Sequence, residues 1–389
     1  MVPRLQELKV YLMIREADRR RMMKRINKIT SLLVVLILMV TMFSGCGVKK
    51  PVYEIALITD VGTIDDKSFN QSCWEGVRAY AKDHKKSRKY YRPAEKSNKA
   101  FMDSIDLAIK GGAKIIVVPG FLFQEPIADA QHKYPDVDFI FVDSTPAKPI
   151  GMKGNETIYD ETIEKNVYSI TYKEEEAGYL AGRAAVADGY TNLGFMGGIA
   201  VPPVMRYGYG FVKGVDDGAK AAGLKKGDVT LKYTYTGNFS ATPENSAKAA
   251  SWYNGGTQCI FACGGAVGNS VMKSAEGADG KVIGVDVDQS VESDTVITSA
   301  MKNISKSVYD AIDDFYHNRF PGGQVATLSA KEKGVVLPME TSKFKNFTQA
   351  DYDSIYQTLV DGQVQFDDWQ KVDSAKDLNV DIVNVELIK

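Results

Sequence analysis

The chain has 389 residues, 44% hydrophobic and 25% charged, and its 48 Lys and Arg against 49 Asp and Glu leave a formal net charge of −1. This is ordinary globular composition, long enough for more than one hydrophobic core and without the basic excess that holds a polyanion. Nucleic acid is therefore excluded as an expected partner.

The first element is "RRRMMKRINKITSLLVVLILMVTMFSGCG", a basic stretch, an apolar run from Leu32 to Phe43, then small residues and Cys46. That is the layout of a secretory signal peptide, and a dozen apolar residues fall short of the roughly 20 that span a bilayer. Phe43-Ser44-Gly45-Cys46 resembles a bacterial lipobox, so residues 1–45 are read as a lipoprotein signal peptide and Cys46 as the lipidated residue. Met22 or Met23 is an alternative translation start. The remaining cysteines, Cys73, Cys259 and Cys263, are odd in number and form no disulfide framework. Cys259 and Cys263 lie in "QCIFACGG", a strand in which they share one face as small hydrophobes. With only His84, His132 and His317, in charged contexts, neither a metal constellation nor a Ser/His/Asp arrangement is read.

Beyond Cys46 the chain alternates strand and helix. "VYEIALIT", "KIIVVPG" and "DFIFVDS" are strands, separated by the helices "SFNQSCWEGVRAYAKDH", "SIDLAIKGG" and "EPIADAQHKYP". The strands are too uniformly apolar for a sheet with one wet face, which predicts a parallel sheet covered on both sides. The grammar then repeats: "NLGFMGG", "VTLKYTYTG", "TQCIFACGG" and "KVIGVDVD" are strands between helices, and Gly112 to Asp143 matches Gly256 to Asp286 at about 30 residues each. The expected fold is α/β, two doubly wound parallel-sheet lobes joined by a hinge. The first lobe takes residues 46–165 and 289–321, the second 166–288 and 322–389, with the first crossing near Asn166.

Open α/β sheets bind ligands beyond the carboxyl ends of their strands. Asp60, Asp143 and Asp286 each stand at or just past a strand end, so facing lobes bring three carboxylates to one cleft. The loop "DVGTIDDKSFNQSCWEG" lacks the glycines and the GK[ST] of a phosphate cradle, and its acids repel phosphate. It also lacks the spacing of a calcium loop. Carboxylates in a cleft otherwise accept hydrogen bonds from neutral donors such as ribose hydroxyls and base N–H groups. A flat base adds a demand for aromatic faces, and Phe69 and Phe239 sit where loops meet helices at the cleft, unless each only closes its own lobe's core. Tyr207 ranks behind Phe239. Asp286 with Lys302 supplies both acceptors and donors for a diol, and a plain salt bridge between them is compatible with that use. Asp65 and Asp66 are read as caps of the following helix.

The set "D-x-G-x-I-D-D-K-S-F-N-Q", "W-E-G", "EEAGYLAGRAA", "GFMGG" with "GYGFVKGV", "IFACGGAVG" and "GVDVDQ" with "TSAMKN" resembles the basic membrane lipoproteins, which include bacterial purine nucleoside receptors of ABC transporters. The resemblance implies a two-lobed fold of the periplasmic-binding-protein type I kind that clamps a nucleoside, the base sandwiched between Phe69 and Phe239. It also implies Asp60, Ser68 and Asn70 near the base, Asp143 in contact with the nucleoside, and Gly265 admitting close backbone approach. It further implies that Asp286 and Lys302 hold the ribose hydroxyls. Permease subunits are the implied partners, and a lipid on Cys46 the tether to the extracytoplasmic face of the bacterial cell membrane. No enzymatic step, cofactor or metal is called for. The competing readings are a sugar or autoinducer receptor of the same fold, a membrane-anchored nucleoside sensor, and a nucleoside hydrolase, the last needing a metal or general acid beside the base.

Overall fold

A computed structural model describes residues 3–43, 51–154 and 156–389. Two compact units are distinguished, Met1–Pro51 and Val52–Lys389. In the first, α1 (Pro3–Phe43) is a single helix. Cys46 lies outside the described residues, among which no helix is long and apolar enough to cross a membrane.

The second unit begins with β1 (Ile55–Ile58), α2 (Phe69–Asp83), β2 (Arg88–Tyr91), α3 (Asn98–Lys110), β3 (Ile115–Pro119), α4 (Gln124–Lys133) and β4 (Asp138–Val142). A hairpin of β5 (Lys148–Lys153) and β6 (Glu156–Asp160) precedes β7 (Val167–Tyr172) and α5 (Glu174–Ala187). The second run is β8 (Asn192–Gly197), α6 (Pro202–Ala221), β9 (Thr230–Tyr235), α7 (Pro243–Asn254), β10 (Cys259–Cys263), α8 (Val267–Ala278), β11 (Lys281–Asp286) and β12 (Val296–Lys302). It closes with α9 (Ile304–Tyr316), β13 (Gln324–Leu328), β14 (Val335–Val336), α10 (Gln349–Val360) and β15 (Asn384–Leu387).

One sheet runs β13-β7-β4-β3-β1-β2 and the other β14-β12-β11-β10-β8-β9-β15. Counted from its own first strand, each contains the order 2-1-3-4-5 of a doubly wound sheet, so the internal repeat is one of topology. Every residue of β1, β3 and β10 is buried, because successive side chains enter different cores on the two faces. Ile55 and Leu57 pack in one cluster while Ala56 and Ile58 pack in another, and Cys259, Phe261 and Cys263 divide from Ile260 and Ala262 in the same way. Burying one such aliphatic side chain is worth about 1.5–3 kcal/mol.

The division of the chain between lobes differs from the expected one. β7 pairs with β4 in the first sheet, which moves the first crossing from near Asn166 to Lys173, between β7 and α5. β12, expected in the first lobe, pairs with β11 in the second sheet, and α9 then returns to pack on α2. β13, expected in the second, pairs in parallel with β7, from Gln324 opposite Tyr168 to Leu328 opposite Tyr172. The physical reason is that a doubly wound half needs its fifth strand. β7 and β12 fill that place in equivalent ways, and β13 extends the first sheet as an exposed edge.

Helices α5 and α6 lie backbone on backbone. A methyl group at Gly178 would meet the Tyr207 carbonyl, and one at Gly210 the Glu175 carbonyl. Glycines on both partners thus seat the start of α5 directly against the first turns of α6.

Candidate functional site

Loop 60–70 follows β1 and is braced by one amide. Asn70 Nδ2 donates to Asp60 Oδ1 at 2.9 Å and to Asp66 Oδ2 at 3.0 Å, while Asn70 Oδ1 accepts the Asp60 backbone N–H at 3.2 Å. Asp60 Oδ1 also takes the Gly62 N–H at 2.6 Å. Asp66 accepts the backbone N–H groups of Ser68, Asn70 and Gln71 at 2.9, 3.1 and 3.1 Å, so it caps the first turn of α2. Burial pushes the Asp66 carboxyl up to about 6 and raises that of Asp60, against the opposing pull of the Gly62 N–H.

Asp143, one residue past β4, and Asp286, the last residue of the equivalent strand β11, both adopt the left-handed backbone, with φ of 67° and 66°. Few residues other than glycine tolerate that region, aspartate among them, and matched outliers at matched strand ends mark a shared local requirement. Each turns its carboxylate toward Lys302, the last residue of β12. Lys302 Nζ lies 2.5 Å from Asp143 Oδ2, 3.4 Å from Asp286 Oδ1 and 3.6 Å from Glu174 Oε1. The rings of Phe69, Tyr172 and Tyr207 surround the same ammonium at 4.9, 5.4 and 5.4 Å. Burial alone would lower the lysine, but Asp143, Asp286 and Glu174 prevail and hold it above its usual value. Burial pushes Asp143 up to about 7 despite Lys302. One ammonium does not neutralise three carboxylates.

Between the sheets lies a cavity of about 60 Å³, lined by Asp60, Phe69, Asn70 and Asp143 from the first lobe and by Phe239, Gly265, Asp286 and Lys302 from the second. That is room for about four to six waters. It sits at the switch points of both sheets, where loops after β1 and β3 diverge on one side and those after β8 and β10 on the other. Of the residues expected to bind the ligand, Ser68 alone does not line this cavity. Its hydroxyl donates to Asp286 Oδ2 at 2.6 Å, joining the lobes. Gly265, with φ of 53°, lets the Phe239 loop close in: the Ala266 N–H donates to the Phe239 carbonyl at 3.1 Å. Tyr207 lines the cavity too, its hydroxyl donating to the Ala300 carbonyl at 3.2 Å.

Sequence reasoning missed Asp66, Phe121 and Leu122 as cavity walls, and Glu174 with Arg206 behind it. Asp66 reads as a helix cap and is one, and "GFLFQEP" gives no sign that its turn faces a cleft. A wider groove of about 760 Å³ shares Phe121 and Asp143 with the cavity and is bounded by Tyr159 of the hairpin and by Trp369. Among the described residues, no three His, Cys, Asp or Glu side chains gather as a metal-holding group.

The family model described as Bmp, ABC transporter substrate-binding protein PnrA-like, matches residues 54–366. The chain belongs to the Bmp family. It is accordingly a substrate-binding protein of ABC transporters, and its α/β architecture is that of the periplasmic-binding type I fold. A Bmp relative, the ABC transporter nucleoside-binding protein BmpA of Lactococcus lactis, is 31% identical over 323 residues, covering 77% of this chain and 86% of its own length. The CD4+ T-cell-stimulating antigen of Listeria monocytogenes is 27% identical over 334 residues, covering 80% and 87%. Among solved structures, an ABC transporter solute-binding protein of Aeropyrum pernix superposes with a TM-score of 0.67 at 23% identity, over 81% of this chain and 93% of its own. A transcriptional activator of the comK gene from Bacillus halodurans reaches 0.59 at 17% identity, over 81% and 100%. These structural likenesses speak for the fold alone.

Proposed function

We propose that this Bmp-family protein closes its two lobes on a purine nucleoside and delivers it to an ABC permease, tethered to the extracytoplasmic face of the membrane by lipid on Cys46. The observation that carries the reading is the composition of the interlobe cavity. It offers one phenylalanine from each lobe, Phe69 and Phe239, among the acids Asp60, Asp143 and Asp286, whose ionised forms only accept. A ligand matched to it is flat, bears several hydroxyl or N–H donors and carries no phosphate. The name of the Lactococcus lactis relative supports the same class. The cavity is closed over by residues of both lobes, so the lobes part for entry, and closure then removes water from every polar contact.

The test is thermal unfolding of the full chain in detergent with purine and pyrimidine nucleosides, free bases, nucleotides and pentoses. A ligand at 100 times its Kd adds about 2.7 kcal/mol. For a unit of about 340 residues, with an unfolding entropy near 0.7 kcal/mol/K, that raises the midpoint by about 4 °C. Purine nucleosides are expected to give this shift, and a response confined to free sugars would overturn the assignment. A second arm incubates the protein with inosine: release of free base would make it a hydrolase.

A further inference from the structure

Glu174 is the first residue of α5, just past the point where the chain crosses from the first sheet to the second. Its side chain is wholly buried and takes no part in lining the cavity. Oε2 accepts Arg206 Nε–H at 2.7 Å, and Oε1 lies 3.6 Å from Lys302 Nζ with no hydrogen-bond partner among the described residues. Arg206, on the neighbouring α6, is itself packed over the Trp369 ring at 5.8 Å. The glycine seam between α5 and α6 makes this meeting possible.

The ammonium of Lys302 has three N–H groups and three carboxylates around it, two on the cavity side and Glu174 on the crossing side. A ligand whose hydroxyls donate to Asp143 and Asp286 draws on the same two carboxylates that hold the lysine, with Asp143 Oδ1, which has no hydrogen-bond partner among the described residues, open to it. Glu174 does not face the ligand, so its charge stays with Lys302 throughout. A buried cation needs counter-charge close by, and Glu174 supplies a carboxylate that the ligand does not share, so the ammonium can swing an N–H toward a hydroxyl oxygen without leaving its ion pairs.

We propose that Glu174, clamped by Arg206, is a positioning residue that holds the Lys302 ammonium between Asp143 of one lobe and Asp286 of the other, ready to donate to a hydroxyl-bearing ligand. The choice of probe rests on the nucleoside reading above. Glutamine in this place fails for a specific reason. A carboxylate accepts at both oxygens, whereas an amide has one acceptor and one donor, so its NH₂ must turn toward Arg206 or Lys302, neither of which accepts.

The test is calorimetric titration of the full chain in detergent with inosine, comparing the parent with Glu174→Gln, Lys302→Met and the double variant. Glu174→Gln is expected to weaken binding about tenfold, and the double variant to bind no more than about twofold worse than Lys302→Met alone, because Glu174 acts through the lysine. Independent, multiplicative losses would overturn the assignment, as would a Glu174→Gln Kd within twofold of the parent. Arg206→Met and Arg206→Lys read the same contact from its partly exposed side and cover the case in which Glu174→Gln does not fold. Methionine is expected to weaken binding several-fold and lysine to restore most of it, and equal losses for both would count against the clamp. No inosine binding by the parent overturns the nucleoside reading and this assignment with it, whereas inosine binding with uncoupled losses overturns this assignment alone.

Discussion

Asn70→Asp tests the architecture of the loop after β1 more severely than its single-atom change implies. Among the described residues, the amide nitrogen of Asn70 is the only side-chain donor between Asp60 and Asp66, at 2.9 and 3.0 Å, so the substitution replaces it with a third carboxylate oxygen facing two others. Hydrogen bonds to charged groups are each worth about 1.5–3 kcal/mol, which sets the loss at about 3–6 kcal/mol when all three acids are ionised. For a unit of about 340 residues this lowers the melting midpoint by about 4–9 °C. The loss depends on pH. A proton shared between two of the acids restores a donor, and Asp66 already binds its proton near pH 6 in the parent. The variant is therefore expected to lag the parent most at pH 8 and to close much of the gap at pH 5, as followed by scanning calorimetry of both proteins at each pH. A midpoint within 1 °C of the parent at pH 8, or a gap that widens on acidification, would show that the Asn70 amide does not separate the two carboxylates.

Phe69→Ala and Phe239→Ala should each cost about 1–3 kcal/mol of nucleoside affinity by titration calorimetry while leaving the unliganded melting curve close to the parent's, and unchanged affinity removes the ring concerned from the site. In the ligand-free protein, Asp66 near 6 and Asp143 and Glu175 near 7 all have folded-state values raised by burial. Their contribution to stability is complete below the ordinary carboxylate range and is lost as pH rises through 6 and 7, so the midpoint should fall between pH 5 and pH 8; a rise would contradict this burial account. Gly210→Ala drives a methyl group into the Glu175 carbonyl across the α5–α6 seam. It should cost about 1–3 kcal/mol, a fall of about 1–4 °C, and should weaken inosine binding because α5 carries Glu174.

The parts of the fold most legible in the sequence were those whose burial is symmetric. Apolar runs such as "KIIVVPG" and "QCIFACGG" announce strands covered on both faces, and the repeat of Gly112–Asp143 in Gly256–Asp286 anticipates two halves of one topology. β13 escaped because "QVATL" is a largely exposed edge with no apolar run, and the β5–β6 hairpin because it stands outside both sheets. In the site, strand-end acids and loop phenylalanines could be named from position alone. The partnership of Lys302 with Asp143 rather than chiefly with Asp286 could not, since it depends on the 2.5 Å approach of residues from different sheets. Glu174 and Arg206 gave no sequence signal at all: "EEEAGYLAG" looks like a helix start, and only the packing of α5 on α6 brings Glu174 between Arg206 and Lys302.

The interleaving of the chain between sheets also bears on how the protein comes to be folded. The first sheet waits for Gln324–Leu328 to pair with a strand made more than 150 residues earlier, and the second waits for Asn384–Leu387 to join Thr230–Tyr233. Neither half is complete until the segment from Gln324 onward has been made, so the halves do not mature in sequence like beads on a string. Closing such long loops before their contacts form slows folding and leaves strand edges open meanwhile. A nascent or truncated chain ending before residue 324 would carry β7 as an uncovered edge. The segment from Gln324 onward thus completes both sheets, giving β13 to the first and β14 and β15 to the second.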